Sequence, residues 1–362
     1  MRIMHLETGM HLYGGAEQVR CLIQGLSAQG VESVLVCAQG SAIATATVAK
    51  DVVEIPMRGD LDLNLYKRLR ALLNSINPDL LHVHSRRGAD WFGGCAALSC
   101  SVPAVLTRRV DNPEAAFVAR IKYRPYRVVI AISRIIEALL LEHVRLPIFK
   151  VQRIASAVDT ERFRPGGGRE RLLAALELPE DVLLIGIVAQ LIPRKGHDVL
   201  LGILPELVDR YPRLKVLFLG QGRQAAKLRR QIGEFDLNAR VKLLGFRDDL
   251  PCLLPALDLL VHPARREGMG VAVLQAMSAG VPVVASSVGG IIDVIQNEVQ
   301  GLLVEPDNPT ALAAALQRLL ADPELRNRLG TAGRVRVEAR FSISRMTAGY
   351  LAVYGSVLGG YV

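Results

Sequence analysis

Residues 262–290 read HPARREGMGVAVLQAMSAGVPVVASSVGG, and the order of residue types in this stretch decides the fold. A charged tripeptide, Arg265-Arg266-Glu267, runs into Gly268-Met269-Gly270. An apolar helical pattern follows from about Val271 to Ala279. Gly280 stops it, with Pro282 two residues on, as a helix C-terminus predicts. The segment 281–285 then reads as a short buried strand, and Gly289-Gly290 opens another turn. A loop that turns into a helix on glycines lets a ligand approach the backbone. The first helical amides are unpaired and, with the macrodipole, favour an anion. Glu267 stands just before those amides, where its carboxylate can accept hydrogen bonds from ligand hydroxyls. Gln275, about two turns on, offers one donor and one acceptor group. The bland alternative is an ordinary helix–strand unit with a capping glutamate.

Outward from this stretch the alternation repeats. In residues 1–150, strands are expected near 2–6, 31–37, 80–83, 104–107 and 128–132, with helices near 16–29 and 63–76. This is the βαβ pattern of a parallel, doubly wound α/β sheet. Ligands of such sheets sit at the C-terminal strand ends. Gly14-Gly15, His84 with Arg86 and Arg87, and Arg108-Arg109 all fall there. Residues 154–168, IASAVDTERFRPGGG, break the pattern with a glycine turn. A second series follows: strands near 183–188, 214–219, 241–244 and 257–261, separated by helices and by the loops Arg194-Lys195-Gly196, Gly220-Gln221-Gly222 and Gly245-Phe246-Arg247. Helices near 310–321, 323–339 and 344–358 end the chain, and the last carries an apolar face (Met346, Tyr350, Val353, Tyr354, Val357) that needs a partner surface.

The 362 residues are more than one core usually serves, so two domains are expected. A formal charge of +9 points to an anionic partner. No lysine-rich tail or aromatic-basic repeat supports nucleic acid. Residues 120–127, RIKYRPYR, hold four basic residues and no acid. They read as a solvated helix end or as a contact for acidic lipid headgroups. Five scattered cysteines without metal-ligand spacing read as reduced core thiols of a cytosolic protein. The N-terminus does not read as a signal peptide, and no apolar run approaches the length of a membrane span.

GGAE at 14–17, HVHS at 82–85, VIAIS at 129–133, VDTERFRP at 158–165, PRKG at 193–196, LLGFRDDLP at 243–251, GLLVEPDNP at 301–309 and FSISRM at 341–346 stand in one order around the opening stretch. In that order and spacing the chain resembles the family-4 retaining glycosyltransferases of the two-domain GT-B type, over nearly its whole length. The resemblance implies two Rossmann-like domains facing across a cleft. Residues 1–157, with the last helix (343–362) crossing back to them, would bind the acceptor; residues 158–342 would bind a nucleotide sugar. It implies retaining transfer from a nucleotide diphosphate donor to a hydroxyl, with a hexose the expected sugar. Glu267 matches the first glutamate of the family's E-x7-E motif, and Lys195 the lysine that holds the diphosphate. Gly268, Met269, Gly270 and Val271 match the turn facing the sugar and distal phosphate. Phe246 and Arg247 match the segment bordering the base, Gly14 and Gly15 the N-domain glycines near the donor, and His84 the histidine beside the transferred sugar.

The chain departs from the pattern at three places. Gln275 replaces the second glutamate, which binds the ribose, so weaker ribose binding is expected. Ala189-Gln190 replaces the usual Gly-Arg, and Arg194 is expected to supply the missing charge. Ser156-Ala157 replaces Asn-Gly at the linker turn. Lys195, Arg194 and the amides of 268–271 are expected to stabilise the departing diphosphate. No D-x-D acid cluster occurs, so no metal or other cofactor is expected, and a uridine diphosphate sugar is the commonest family donor. Residues 1–150 hold 18 Lys and Arg against 13 Asp and Glu. Arg86, Arg87, Arg108 and Arg109 are therefore candidates for an anionic acceptor, lipid-linked or of lipopolysaccharide type, at the inner membrane face. The plainer alternative pairs them with Asp90, Asp111 and Glu114. A sugar-nucleotide 2-epimerase and a non-catalytic sugar-nucleotide binder are the rival functions.

Overall fold

The computed structural model describes residues 1–59, 62–84 and 88–359. Arg86 and Arg87 lie outside them. The chain divides into two compact units, Met1–Ala157 with Ile343–Val362, and Val158–Ser342.

The first unit is built on β1 (Arg2–Glu7), β2 (Glu32–Ala38), β3 (Asp51–Ile55), β4 (Leu80–Val83), β5 (Ala104–Arg108), β6 (Val128–Ala131) and β7 (Val151–Arg153). All pair in parallel, in the order β3-β2-β1-β4-β5-β6-β7. The second contains β8 (Leu183–Val188), β9 (Leu214–Leu219), β10 (Val241–Gly245), β11 (Leu259–His262), β12 (Val283–Ser286) and β13 (Leu302–Val304), parallel in the order β10-β9-β8-β11-β12-β13. Central strands such as β4, β6 and β11 are buried at every position, which is why they read as continuous apolar runs. Each sheet reverses its winding once, between β1 and β4 and between β8 and β11. Those reversals are where doubly wound sheets open a crevice for ligands.

Short or edge strands were the least legible. β3 lies at a sheet edge with mostly exposed residues, and β7 has three residues. β11 starts at Leu259 rather than at 257 because the Asp258 carboxylate caps Leu184 N at 2.7 Å and draws in Arg169. The cysteines need correction too. Cys21 and Cys37 are core thiols, whereas Cys95 and Cys252 are exposed and Cys100 is half-buried. Among the described residues, no helix is long and apolar enough to cross a membrane.

The apolar face of helix Ile343–Leu358 is covered within the first unit. Met346, Tyr350, Val353 and Tyr354 share a buried cluster with Cys21, Leu22 and Leu26 of helix Gly14–Ala28. Gly25 permits the close approach: a Cβ there would lie 1.9 Å from Thr347 Oγ1 and 2.9 Å from Ile343 Cγ2. Gly25→Ala should therefore destabilise the protein by about 1–3 kcal/mol despite alanine's better helix propensity. In urea titrations, Thr347→Ala added to Gly25→Ala should recover part of that loss; a midpoint unchanged by Gly25→Ala would contradict the packing.

Candidate functional site

In the second unit, two loops leave the sheet at the β8/β11 reversal. The loop after β8 tightens into a short turn at Pro193–Lys195, which places Lys195 in a buried position. The loop after β11 carries Glu267. Lys195 Nζ donates to Glu267 Oε2, and His262 Nε2 donates to the same oxygen at 2.7 Å. Oε1 takes the Gly268 amide at 3.0 Å. Burial alone would raise the Glu267 carboxyl, but the Lys195 charge and the His262 hydrogen bond hold it well below the usual carboxylate range. The carboxylate is thus ionised, oriented, and saturated at Oε2, with capacity left at Oε1.

Backbone contacts keep the turn in place. Gly270 (φ 81°) caps helix Val271–Ser278, a conformation glycine adopts without strain. Gly289 and Gly290 lie against the Glu267 and Gly268 carbonyls so closely that a Cβ at either would clash, at 1.6 and 2.4 Å. Arg265 ties the two loops together. It grips Asp198 with two bonds of 2.9 Å, donates to Pro193 O at 2.7 Å, and its amide donates to Arg194 O at 2.8 Å. Arg194 itself is half-buried beside Lys195. Gln275 is buried on helix Val271–Ser278. Phe246 is exposed just after β10, and Arg247 forms a two-bond pair with Asp249. His262 and Asp198 were not singled out in the sequence, and Arg265 and Gly289 were named there only as part of a charged tripeptide and of a turn. For His262 the signal was present, since it ends a buried strand just as His84 follows one.

In the first unit, Gly14 and Gly15 open helix Gly14–Ala28 after β1. His5 of β1 and His82 of β4 are register neighbours, and His84 lies at the β1/β4 reversal. All three are buried, with ligand atoms within 4.8 Å of one another. Hydrogen bonds account for most of this group. His82 uses both nitrogens, on Tyr354 OH at 2.6 Å and Thr107 Oγ1 at 2.7 Å. His84 Nε2 meets His5 Nδ1 at 3.0 Å, and Arg109 Nη2 donates to His84 Nδ1 at 3.3 Å. Both nitrogens of His84 are therefore engaged within the unit. Arg109 Nε and Nη1 are buried without a partner among the described residues, and Gly15 lies beside its side chain.

The adjacent Arg108 is a correction. It is buried and directs four of its five N–H groups at Glu114, Tyr123 and the carbonyls of Val110 and Asn112, so its charge is committed within the unit. Burial works against the Glu114 carboxyl, yet its bond to Lys122 and the Arg108 charge bring it down to about 2. β5 ends at Arg108, so Arg108 stays in the buried strand while Arg109 begins the loop that follows it, and the adjacent arginines take different surroundings.

Residues 168–336 match the family model described as "Glycosyl transferases group 1", and residues 13–162 match "Glycosyltransferase Family 4". The chain belongs to the family-4 glycosyltransferases of the GT-B type. It is 34% identical over 229 residues to a D-inositol 3-phosphate glycosyltransferase of Salinispora arenicola, covering 59% of this chain and 51% of that one. It is 33% identical over 202 residues to a GDP-mannose-dependent monoacylated alpha-(1-6)-phosphatidylinositol monomannoside mannosyltransferase of Corynebacterium glutamicum, covering 53% and 52%. The chain thus spans about half the length of these curated relatives. In fold it matches Anabaena HepE, solved in complex with UDP and glucose, with a TM-score of 0.87 at 19% identity over 98% of this chain and 100% of that one.

Four buried histidines give a pH dependence of stability. Burial lowers His5 to about 3 and His197 to about 4, the latter helped by the His262 and Lys195 charges, and burial pushes His82 and His84 well below the ordinary value. The folded protein keeps these rings neutral while the unfolded chain protonates near 6.5, so the unfolded state binds more protons and stability falls as pH drops below 6.5. Each such ring costs about 1.4 kcal/mol per pH unit between 6.5 and its folded value. Urea midpoints should fall steadily from pH 7 to pH 5; a flat profile would contradict the buried neutral cluster.

Proposed function

We propose that the protein transfers a sugar, with retention, from a nucleotide diphosphate donor to a hydroxyl of an anionic saccharide or lipid-linked acceptor. The proposed setting is cell-envelope polysaccharide or lipopolysaccharide synthesis at the inner membrane face. The observation that carries the reading is the shared Glu267 Oε2, held by Lys195 and His262 at the β8/β11 reversal. The Lys195 ammonium has three donors and spends one on Glu267, leaving two for phosphate oxygens. Arg194 and the amides of 268–271 add positive charge where the leaving diphosphate gathers negative charge. Glu267 Oε1 accepts a hydroxyl of the transferred sugar. Phe246 and Arg247 border the base, and Gln275 takes the ribose with a neutral amide.

The same cations make a metal unnecessary in this reading. The leaving phosphate takes the acceptor proton on the same face of the sugar, which gives retention. Glu267 positions the sugar. His84 is neutral and orients Arg109, whose unpaired Nε and Nη1 support an anionic acceptor in the first unit. The relative that acts on D-inositol 3-phosphate is consistent with such a group. HepE was solved with UDP, which supports a uridine diphosphate sugar as the first donor to try.

The test is incubation with labelled sugar nucleotides and a membrane extract, following products by mass. Transfer to saccharide or lipid is expected; an epimerised donor, or binding without turnover, would overturn the reading. Glu267→Ala should stay folded and lose at least ~100-fold in rate, by analogy with losing one preorganised polar group in a catalytic site. Arg109→Gln should raise the acceptor KM about tenfold with little change in stability, whereas Arg108→Gln should cost about 1–3 kcal/mol in stability, because Glu114 keeps Lys122 but loses one buried partner, and the Val110 and Asn112 carbonyls lose their donor. Equal effects of the two arginines on KM would refute their separation. A chelator should leave the transfer rate unchanged; loss of activity restored by a divalent cation would refute the metal-free mechanism.

A further inference from the structure

Beside the β6–β7 edge of the first unit, two segments run together with large apolar side chains in solvent. Helix Ala116–Tyr123 presents Phe117, Val118 and Ile121; the turn Ile148–Lys150 presents Ile148 and Phe149. Phe117, Ile148 and Phe149 are 74%, 77% and 78% exposed, where a soluble surface normally hides such groups. Three hydrogen bonds fasten the segments along the helix. His143 donates to Glu114 O at 2.9 Å, Arg120 Nε to Val144 O at 2.8 Å, and Lys150 Nζ to Arg124 O at 3.0 Å. The helix and the turn therefore form one surface rather than two accidents of exposure.

The charge around that surface has one sign. Residues 115–150 hold seven Lys and Arg against two Glu. Arg120, Arg124, Arg127 and Arg145 are exposed, and among the described residues none of these four, nor Lys150, pairs with a carboxylate. Glu137 is already taken by Arg153, which leaves Glu142 as the nearby acid. Burial lowers the Lys150 ammonium, the Arg127 and Arg124 charges lower it further, and its Nζ is held on the Arg124 carbonyl. Lys122, in the same basic run, is buried instead with Asp90 and Glu114. The run 120–127 thus turns one basic residue, Lys122, inward to hold the fold and three, Arg120, Arg124 and Arg127, outward beside the apolar side chains.

We propose that this surface is a docking face for an anionic lipid bilayer. Phe117, Ile121, Ile148 and Phe149 enter the acyl boundary, and Arg120, Arg124, Arg127 and Lys150 meet the phosphate headgroups. Bulky apolar side chains this exposed suit a fluid surface, and the uncompensated cations select a negative one. The proposal is independent of the transferase reading, because lipid binding is measured without donor, acceptor or turnover.

The test is flotation of the full chain with vesicles of phosphatidylglycerol and phosphatidylcholine, against vesicles of phosphatidylcholine alone. The protein should float with the anionic vesicles and not with the neutral ones. Arg124→Gln/Arg127→Gln/Lys150→Gln should weaken partitioning on the order of a hundredfold. Phe117→Ser/Ile148→Ser/Phe149→Ser should abolish it in low salt while circular dichroism and urea midpoints stay at wild-type values. Failure of the wild type to bind anionic vesicles, unchanged binding by both variants, or a wild-type dimer in gel filtration that the serine variant dissolves would each overturn the proposal.

Discussion

One carboxylate oxygen organises the second unit. Glu267 Oε2 receives both the Lys195 ammonium and the His262 ring. A carboxylate buried this far is costly unless paired, and the pairing must come from two different loops. Arg265 joins those loops through Asp198 and Pro193, and glycines at 270, 289 and 290 let the backbones come close enough. Loop conformation, helix start and carboxylate orientation are therefore one arrangement. A group preorganised in this way does not have to be reoriented when charge develops in a reaction.

The first unit solves a related problem without a carboxylate. Its buried histidines stay neutral and pass hydrogen bonds from Arg109 through His84 to His5, while His82 is anchored by Thr107 and by Tyr354 of the last helix. The last helix thus reaches the polar cluster at the β1/β4 reversal as well as the apolar core. The consequence for Arg109 is a fixed guanidinium with unspent donors. Its neighbour Arg108, one residue earlier, is consumed by Glu114 and Tyr123.

Much of this was legible in the sequence. Continuous apolar runs, each followed by glycine or basic residues, marked the parallel strands and their ligand-facing ends, and the stretch 262–290 carried its helix and Glu267 in plain order. The partners of Glu267 were less legible. Lys195 lies 72 residues away and is joined to it only by sheet order. His262 was visible but looked like a strand end. The two arginines at 108 and 109 could not be separated from sequence, because charge and position are alike and only the end of the strand and the location of Glu114 distinguish them. The run 120–127 was ambiguous for the same reason: Lys122 turns inward to Asp90 and Glu114, and Arg120, Arg124 and Arg127 turn outward.

The account rests on Lys195 and Glu267 acting as one unit on the donor. A double-mutant cycle in single-turnover transfer tests this directly, using Lys195→Met, Glu267→Gln and the pair. If the two residues form one preorganised group, the double variant loses little more rate than the worse single variant. Losses that multiply would mean that the residues work independently, and would contradict the central claim.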